Sequence, residues 1–329
     1  IGYRAGNTGG LTPADTGKVL IGAYAGEVST NGTDSTAVGY MAGRTNQSSL
    51  SVAIGSHSAE ISQGSGAVAI GYLAGANTQG GNTVAIGINA GTTNQGSSSI
   101  AIGIASGAST QGTSAVAIGN QAGLFNQGRN TVAVGRGAGG NSQGEEAISI
   151  GAFAGQSNQG NQAIAIGSDA GQIAQGLGSI AIGPTAGSDD QGASSVAIGI
   201  AAGQFSQAPE AISIGINTGQ NNQSNQSIAV GSGAGQYSQG INAISIGAFS
   251  GQIVQASNSI AIGTFSGQTG QGIMSVAIGN TSGQLSQGTN CVSIGTTSGS
   301  ENQGASSVAI GNLTGQVSQG SDSVAIGTQ

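Results

Sequence analysis

Glycine follows a β-branched residue at Gly39, Gly55, Gly71, Gly87, Gly103 and onward to Gly327, and the interval between successive glycines never changes. A strict short period of this kind marks a solenoid, in which one supersecondary unit stacks on the next and the core is shared between neighbours. The chain has 329 residues, enough for two ordinary domains, yet no composition shift interrupts the pattern. The repeat therefore predicts one regular domain over 39–329, preceded by irregular coils over 1–38. In that first part the intervals from Gly2 to Gly22 and from Gly22 to Gly39 are both longer than the regular one. The surplus around Leu11-Thr12-Pro13-Ala14-Asp15 reads as a loop insertion, and Asn31-Gly32 as a turn.

Each column of the repeat has a legible role. Three residues and one residue before the glycine stand Val or Ile, as in Val52 and Ile54 or Ile148 and Ile150, with Thr36 the only break. A spacing of two places both on one face of a strand, and β-branching favours strand over helix. The residue between them is always Ala or Ser. By the usual preference for burying large apolar groups, the Val/Ile pair is expected inside the coil and the small face outside. That outer small face, represented by Ala197, Ala261 and Ala309, is flat enough to press against an identical neighbour. One Val/Ile pair per coil is also a thin core, so the residues by themselves predict a chain that is not a monomer.

Four residues after the glycine, Gly recurs in 17 of 18 complete copies, Ala59 being the exception. Eight residues after it, every copy has Gln: Gln47, Gln63, Gln79, Gln95, Gln111, Gln127, Gln143, Gln159, Gln175, Gln191, Gln207, Gln223, Gln239, Gln255, Gln271, Gln287, Gln303 and Gln319. An amide kept at one position while its neighbours drift predicts a structural ladder, since stacked strands lie ~4.8 Å apart, within reach of side-chain hydrogen bonds. The next residue is Gly in 14 copies but Ser48, Ala208, Ser224 or Ala256 in the others, which points to crowding or a turn preference there rather than to a positive φ. The columns two and six residues after the glycine carry most of the large side chains, such as Phe153, Phe265, Phe125 and Tyr237, alternating with Asn and Asp, and so read as outward-facing. The fold expected is all-β: a parallel β-solenoid (β-roll) of about 20 coils, each coil being one copy of the repeat.

Composition removes several functions. Only 5% of residues are charged, the net charge is −7, and Arg4, Lys18, Arg44, Arg129 and Arg136 are the only cations. That excludes the clustered Lys/Arg of a nucleic-acid groove or of an anionic membrane surface. There is no apolar run long enough to insert in a membrane. His57, the only histidine, sits in a variable slot and reads as a surface residue; Cys291 replaces Ser, Ala or Thr of its column and reads as a small buried filler. Glu145-Glu146 and Asp189-Asp190 fall in different columns and are not expected to meet. No acidic column of the kind that holds calcium in other Gly-rich rolls is present, and no Gly-rich string is followed by a phosphate-binding Lys-Ser/Thr. No catalytic residue, metal site or cofactor is expected, and the chain reads as a non-enzyme.

Asn258-Ser259-Ile260-Ala261-Ile262-Gly263, Ser275-Val276-Ala277-Ile278-Gly279 and Ser307-Val308-Ala309-Ile310-Gly311 resemble the NSVAIG-type repeat of the YadA-like head in trimeric autotransporter adhesins of Gram-negative bacteria. Related repeats occur in phage and virus fibre proteins. The resemblance extends over residues 36–329, although the Gly-Gln-x-x-Gln-Gly segment here is foreign to the family pattern. It implies a left-handed roll, three chains side by side, and an extracellular adhesive role at a cell or virion surface. The function expected is thus a structural or adhesive extracellular fibre whose first partner is itself and whose second is an unidentified surface or receptor. The alternatives are a viral or phage fibre and, third, an ice- or crystal-binding solenoid, for which the flat Thr array is missing.

Overall fold

The computed structural model describes residues 1–6, 17–28 and 32–329. The expected insertion around Pro13 and the turn residue Asn31 lie outside the described residues. The described residues are all-β, a parallel β-solenoid of about 19 coils with about 16 residues per turn and no helix. They fall into two compact units, 1–163 and 164–329, built on the same plan.

In each coil a first strand carries the Val/Ile-Ala-Val/Ile triplet. In the first unit Val84–Ile86, Ile100–Ile102 and Val116–Ile118 pair in parallel with Ile100 opposite Val84 and Val116. In the second unit Val196–Ile198, Ile212–Ile214 and Ile228–Val230 do the same. A second strand ends on the constant Gln: Ser109–Gln111 pairs with Phe125–Gln127, and Phe205–Gln207 with Asn221–Gln223. In this second ladder only the first and third residues pair. The middle residue is left-handed, as at Thr110 (φ 56°), Asn126 (φ 51°) and Asn222 (φ 54°). Asn, Ser, Asp and Gly fill most of that column because a short polar side chain, or none, tolerates the left-handed region best, although Thr78, Thr110, Ala174 and Val254 also occupy it.

Backbone hydrogen bonds at the corners also run from coil to coil, for example Gly263 N–H to the Ile246 carbonyl at 2.8 Å and Gly267 N–H to the Ser282 carbonyl at 2.9 Å. The chain therefore meets its backbone hydrogen-bonding needs through its neighbours above and below. The glycine that closes the first strand is required twice over. Gly263 has φ +125°, and a Cβ there would sit 2.4 Å from the Gly279 carbonyl oxygen of the adjacent coil. After the constant Gln, crowding is the selecting force: a Cβ on Gly240 would come within 2.5 Å of Ser257 N, at an ordinary negative φ.

The core differs from the expectation in its most important feature. The residues sealed inside are Ala, Ser, Thr and Gln, while the Val and Ile of the first strand face outward, half-buried or exposed. Ala117, Ala122, Ala133 and Ala138 form one such interior cluster. Consequently Ala197, Ala261 and Ala309, expected on an outer face for a neighbouring chain, are fully buried in the coil and cannot form that interface. The physical reason is wall spacing. The inward-facing column is Ser/Ala/Thr, then Ala/Ser, then Gly, and the facing wall adds only Ala/Ser/Thr, Gly and one Gln. The Gln amide already fills the space between them, and a Cβ added at Gly267 would meet it at 2.7 Å, which leaves no room for a second row of Val or Ile. Packing density rather than hydrophobicity alone decides which face is inside.

Candidate functional site: an amide-filled core and an aliphatic outer face

The constant Gln side chains are the largest residues in the interior. Each reaches across the coil: Gln271 Nε2 donates to the Ile260 carbonyl at 2.7 Å and to the Ser275 carbonyl at 3.3 Å, tying the second strand to the first. Room for the amide comes from the Gly four residues earlier. A Cβ on Gly267 would lie 2.7 Å from Gln271 Oε1.

Along the column the amides bond to one another. In the second unit Gln191 Nε2 donates to Gln207 Oε1 at 3.3 Å, Gln207 to Gln223 at 3.1 Å, Gln223 to Gln239 at 3.2 Å, Gln239 to Gln255 at 3.1 Å and Gln255 to Gln271 at 3.1 Å. In the first unit the ladder is interrupted. Gln47 donates to Gln63 and Gln63 to Gln79, but Gln95, Gln111 and Gln127 Oε1 accept no hydrogen bond. Where the middle residue of the first strand is Ser, the oxygen has a local donor instead. Ser149, Ser213, Ser245 and Ser293 Oγ donate to Gln159, Gln223, Gln255 and Gln303 Oε1 at 2.7, 2.5, 2.6 and 2.6 Å. The unpartnered oxygens of Gln95, Gln111, Gln127, Gln191 and Gln287 all belong to coils with Ala in that place: Ala85, Ala101, Ala117, Ala181 and Ala277. The Ala/Ser choice, read from sequence only as "small", thus decides whether a core amide oxygen has a local donor in addition to the neighbouring Gln.

A second amide row escaped notice in the sequence. On the outer side of the second unit Gln220, Gln236, Gln252, Gln268 and Gln284 each donate to the equivalent Gln of the preceding coil, at 2.9 to 3.1 Å. Its signal was the first Gln of Gly-Gln-x-x-Gln-Gly, and it was hidden because Arg44, Glu60, Leu124 and Ser188 hold the same position in other copies.

The outer face of the first strand is a pair of aliphatic rows within each unit. Ile54, Ile118 and Ile150 in the first unit, and Ile214, Ile246 and Ile294 in the second, remain 37–40% exposed, and no charged residue occupies their columns. The large side chains of the variable columns also face outward, as expected. Phe125, Phe205 and Tyr237 are exposed, and Phe249 and Phe265 stack at 5.4 Å between ring centroids.

The charged and reactive residues are scattered. His57 is half-buried rather than fully solvated: its Nδ1 lies 2.7 Å from Glu60 Oε2, and Arg44 pairs with the other oxygen at 3.2 Å. Arg129 forms a forked pair with Glu145, both bonds 3.1 Å, which holds the Glu145 carboxyl below the usual carboxylate range and raises the Arg129 guanidinium. Glu146 instead accepts from Gln162, so the adjacent acids do not converge. Cys291 is buried with Sγ 2.9 Å from the Gly304 carbonyl, as a filler of its column. Among the described residues no three His, Cys, Asp or Glu side chains gather as a metal site, and no helix is long and apolar enough to cross a membrane. No protein-family model matches the chain, and no curated protein matches it either.

Proposed function

We propose that this chain is a non-enzymatic structural and adhesive fibre element that works outside the cell as a homo-oligomer, with the Val/Ile face of the first strand as the contact between copies. The observation that carries the reading is that face: repeated in each unit, free of charge and partly exposed in the isolated chain. Apolar surface repeated without interruption marks an interaction site in a soluble protein. Full burial of a Val or Ile contributes about 1.5–3 kcal/mol, so the third or so left exposed represents roughly 0.5–1 kcal/mol per side chain. Summed over the partly exposed Val and Ile of one unit this is at most on the order of 10 kcal/mol, within the ~4–15 kcal/mol that association costs in lost freedom. A second copy of the chain is the partner whose rows share the same repeat at every coil. Closed symmetry would cover the face and prevent open-ended aggregation. Three copies is the number the adhesin resemblance implies.

The outward Asn, Gln, Ser, Thr and aromatic columns then supply a repeated surface for attachment, gaining strength through many weak contacts. Light scattering on the full chain tests the assembly. The expected result is an oligomer that dissociates when Ile118, Ile150, Ile214 and Ile246 are replaced by Lys, with β-structure retained by circular dichroism. A monomeric wild type ends the reading.

A further inference from the structure

Aromatic residues are rare in this chain, yet four of its five tyrosines and its only histidine fall within residues 3–72. They form one run of edge-to-face contacts: Tyr3 to Tyr24 at 5.6 Å between ring centroids, Tyr24 to Tyr40 at 5.9 Å, Tyr40 to His57 at 5.3 Å and His57 to Tyr72 at 6.3 Å. The rings stand nearly perpendicular to one another, between 75° and 88°. Tyr40 and Tyr72 keep 45% and 52% of their surface in water, and among the described residues neither hydroxyl has a protein hydrogen bond. His57 is fixed from behind by Glu60, which is fixed in turn by Arg44. Rings packed edge to face in sequence, with their hydroxyls in water, make a preorganised surface rather than core packing.

We propose that the Tyr40–His57–Tyr72 surface binds a linear, neutral β-1,4-linked glucan. The chemistry of the surface selects this class. A ligand for exposed rings flanked by hydroxyls needs flat C–H faces with hydroxyl groups at their edges, which is the form of a pyranose whose substituents are all equatorial. Arg44, Glu60 and His57 satisfy one another, so no unpaired charge is offered to an ionic ligand, and a net charge of −7 opposes a polyanion. A linear ligand fits because Tyr40 and Tyr72 stand two coils apart, ~9.6 Å, with His57 edge-to-face between them, and every second sugar of a β-1,4-linked chain presents the same face at a similar interval. This places one specific contact in the first unit, beyond the repeated weak surface invoked above, and it does not depend on assembly through the Val/Ile face.

The absence of Trp makes tyrosine emission a direct reporter, because four of the five emitters belong to the run. Cellohexaose titrated into the full chain is expected to change that emission, and calorimetry should give a matching isotherm. Tyr40→Ala with Tyr72→Ala should weaken binding by roughly tenfold or more, Tyr40→Phe should keep it within about threefold, and Tyr237→Ala should leave it unchanged. Should the double variant misfold, wild type alone decides the matter. Cellohexaose is expected to protect Tyr40 and Tyr72, but not Tyr237, from acetylation by N-acetylimidazole. No binding by wild type, equal binding by a folded double variant, equal affinity for the α-linked maltohexaose, or uniform acetylation of the tyrosines overturns the proposal. Loss of glucan binding with the oligomer intact would separate its failure from that of the fibre reading.

Discussion

Ala117 and Ile118 are adjacent in one strand and meet opposite surroundings: Ala117 is sealed in the coil, and Ile118 keeps 37% of its surface. The same division runs through each unit, with Ala, Ser and Gln inside and Val, Ile and aromatics outside. In most domains the larger apolar residue takes the interior. Here the interior is narrow and held by hydrogen bonds, so size rather than hydrophobicity excludes Ile from it. The outer face is left with the apolar surface that drives association. Stability of a coil and assembly of the chain thus rest on different columns of one repeat, and substitutions can separate them.

The largest separation is expected from a charge on either side of that strand. Ala117→Glu places a carboxylate among Ala122, Ala133 and the Gln amides with no cation near, a change costing more than ~4 kcal/mol and opening the neighbouring coils. Ile118→Glu meets water and should leave the fold intact while weakening association. Limited proteolysis and circular dichroism distinguish the two, and equal sensitivity of both variants would erase the division between lining and surface.

A smaller effect is expected from the core amides. Gln207→Leu keeps the volume but removes donors from the Val196 carbonyl at 2.9 Å, the Ala211 carbonyl at 3.2 Å and Gln223 Oε1 at 3.1 Å. Each buried group left without a partner costs about 1–3 kcal/mol, although neighbouring donors recover part of it, so a net loss of ~2–4 kcal/mol is expected by thermal or denaturant unfolding. Asp190→Asn, one exposed residue before Gln191 and in a left-handed column that already holds Asn, should change stability by less than ~0.5 kcal/mol.

The Ser/Ala alternation predicts a finer, two-way effect. Ser213→Ala removes the 2.5 Å bond to Gln223 Oε1, which keeps only the donor from Gln207, and should cost ~0.5–1.5 kcal/mol. Ala117→Ser does the reverse. It offers a hydroxyl to Gln127 Oε1, which has no partner, in a column that already accommodates Ser elsewhere, and should raise the unfolding midpoint. A matched decrease in both variants would show that the hydroxyl's bulk outweighs its hydrogen bond.

These contrasts also explain what could be read in advance. Phase and pattern made the parallel solenoid legible, because an unbroken short period with β-branched residues at alternate positions admits little else. The constancy of Gln across all its copies marked it as structural. The face assignment failed because Val52 and Ile54 look like a core pair by hydrophobicity, and nothing in a single strand states the distance to the opposite wall. Only folding brings Gly267 against the Gln271 amide and Ala261, where an added Cβ would lie 2.7 Å from Oε1 and 3.2 Å from the Ala261 Cβ, so no further side chain fits beside the amide. The His57–Glu60–Arg44 group was illegible for a similar reason: Arg44 and Glu60 occupy equivalent positions of successive coils, a full repeat apart in sequence, and a scan for short motifs does not join them.

The smallest effect is expected outside, at the forked Arg129–Glu145 pair. The pair lowers the Glu145 carboxyl below its ordinary value, first through the hydrogen bonds from the guanidinium and then through its charge. A carboxylate whose folded-state pKa is depressed favours the folded state once pH is above the unfolded value, and that contribution disappears as pH falls through the lower folded value. Acidification from neutrality should therefore remove the pair's contribution only below the ordinary carboxylate range. The groups are solvent-exposed, and exposed pairs are screened by salt, so Glu145→Gln should move the melting temperature little, and less still at high ionic strength. Below the folded pKa, wild type and Glu145→Gln should melt alike, since both then carry a neutral side chain at this position. A large salt-independent loss in Glu145→Gln at neutral pH would place this outer pair among the groups that hold the coils together, and the contrast with the buried amides would fail.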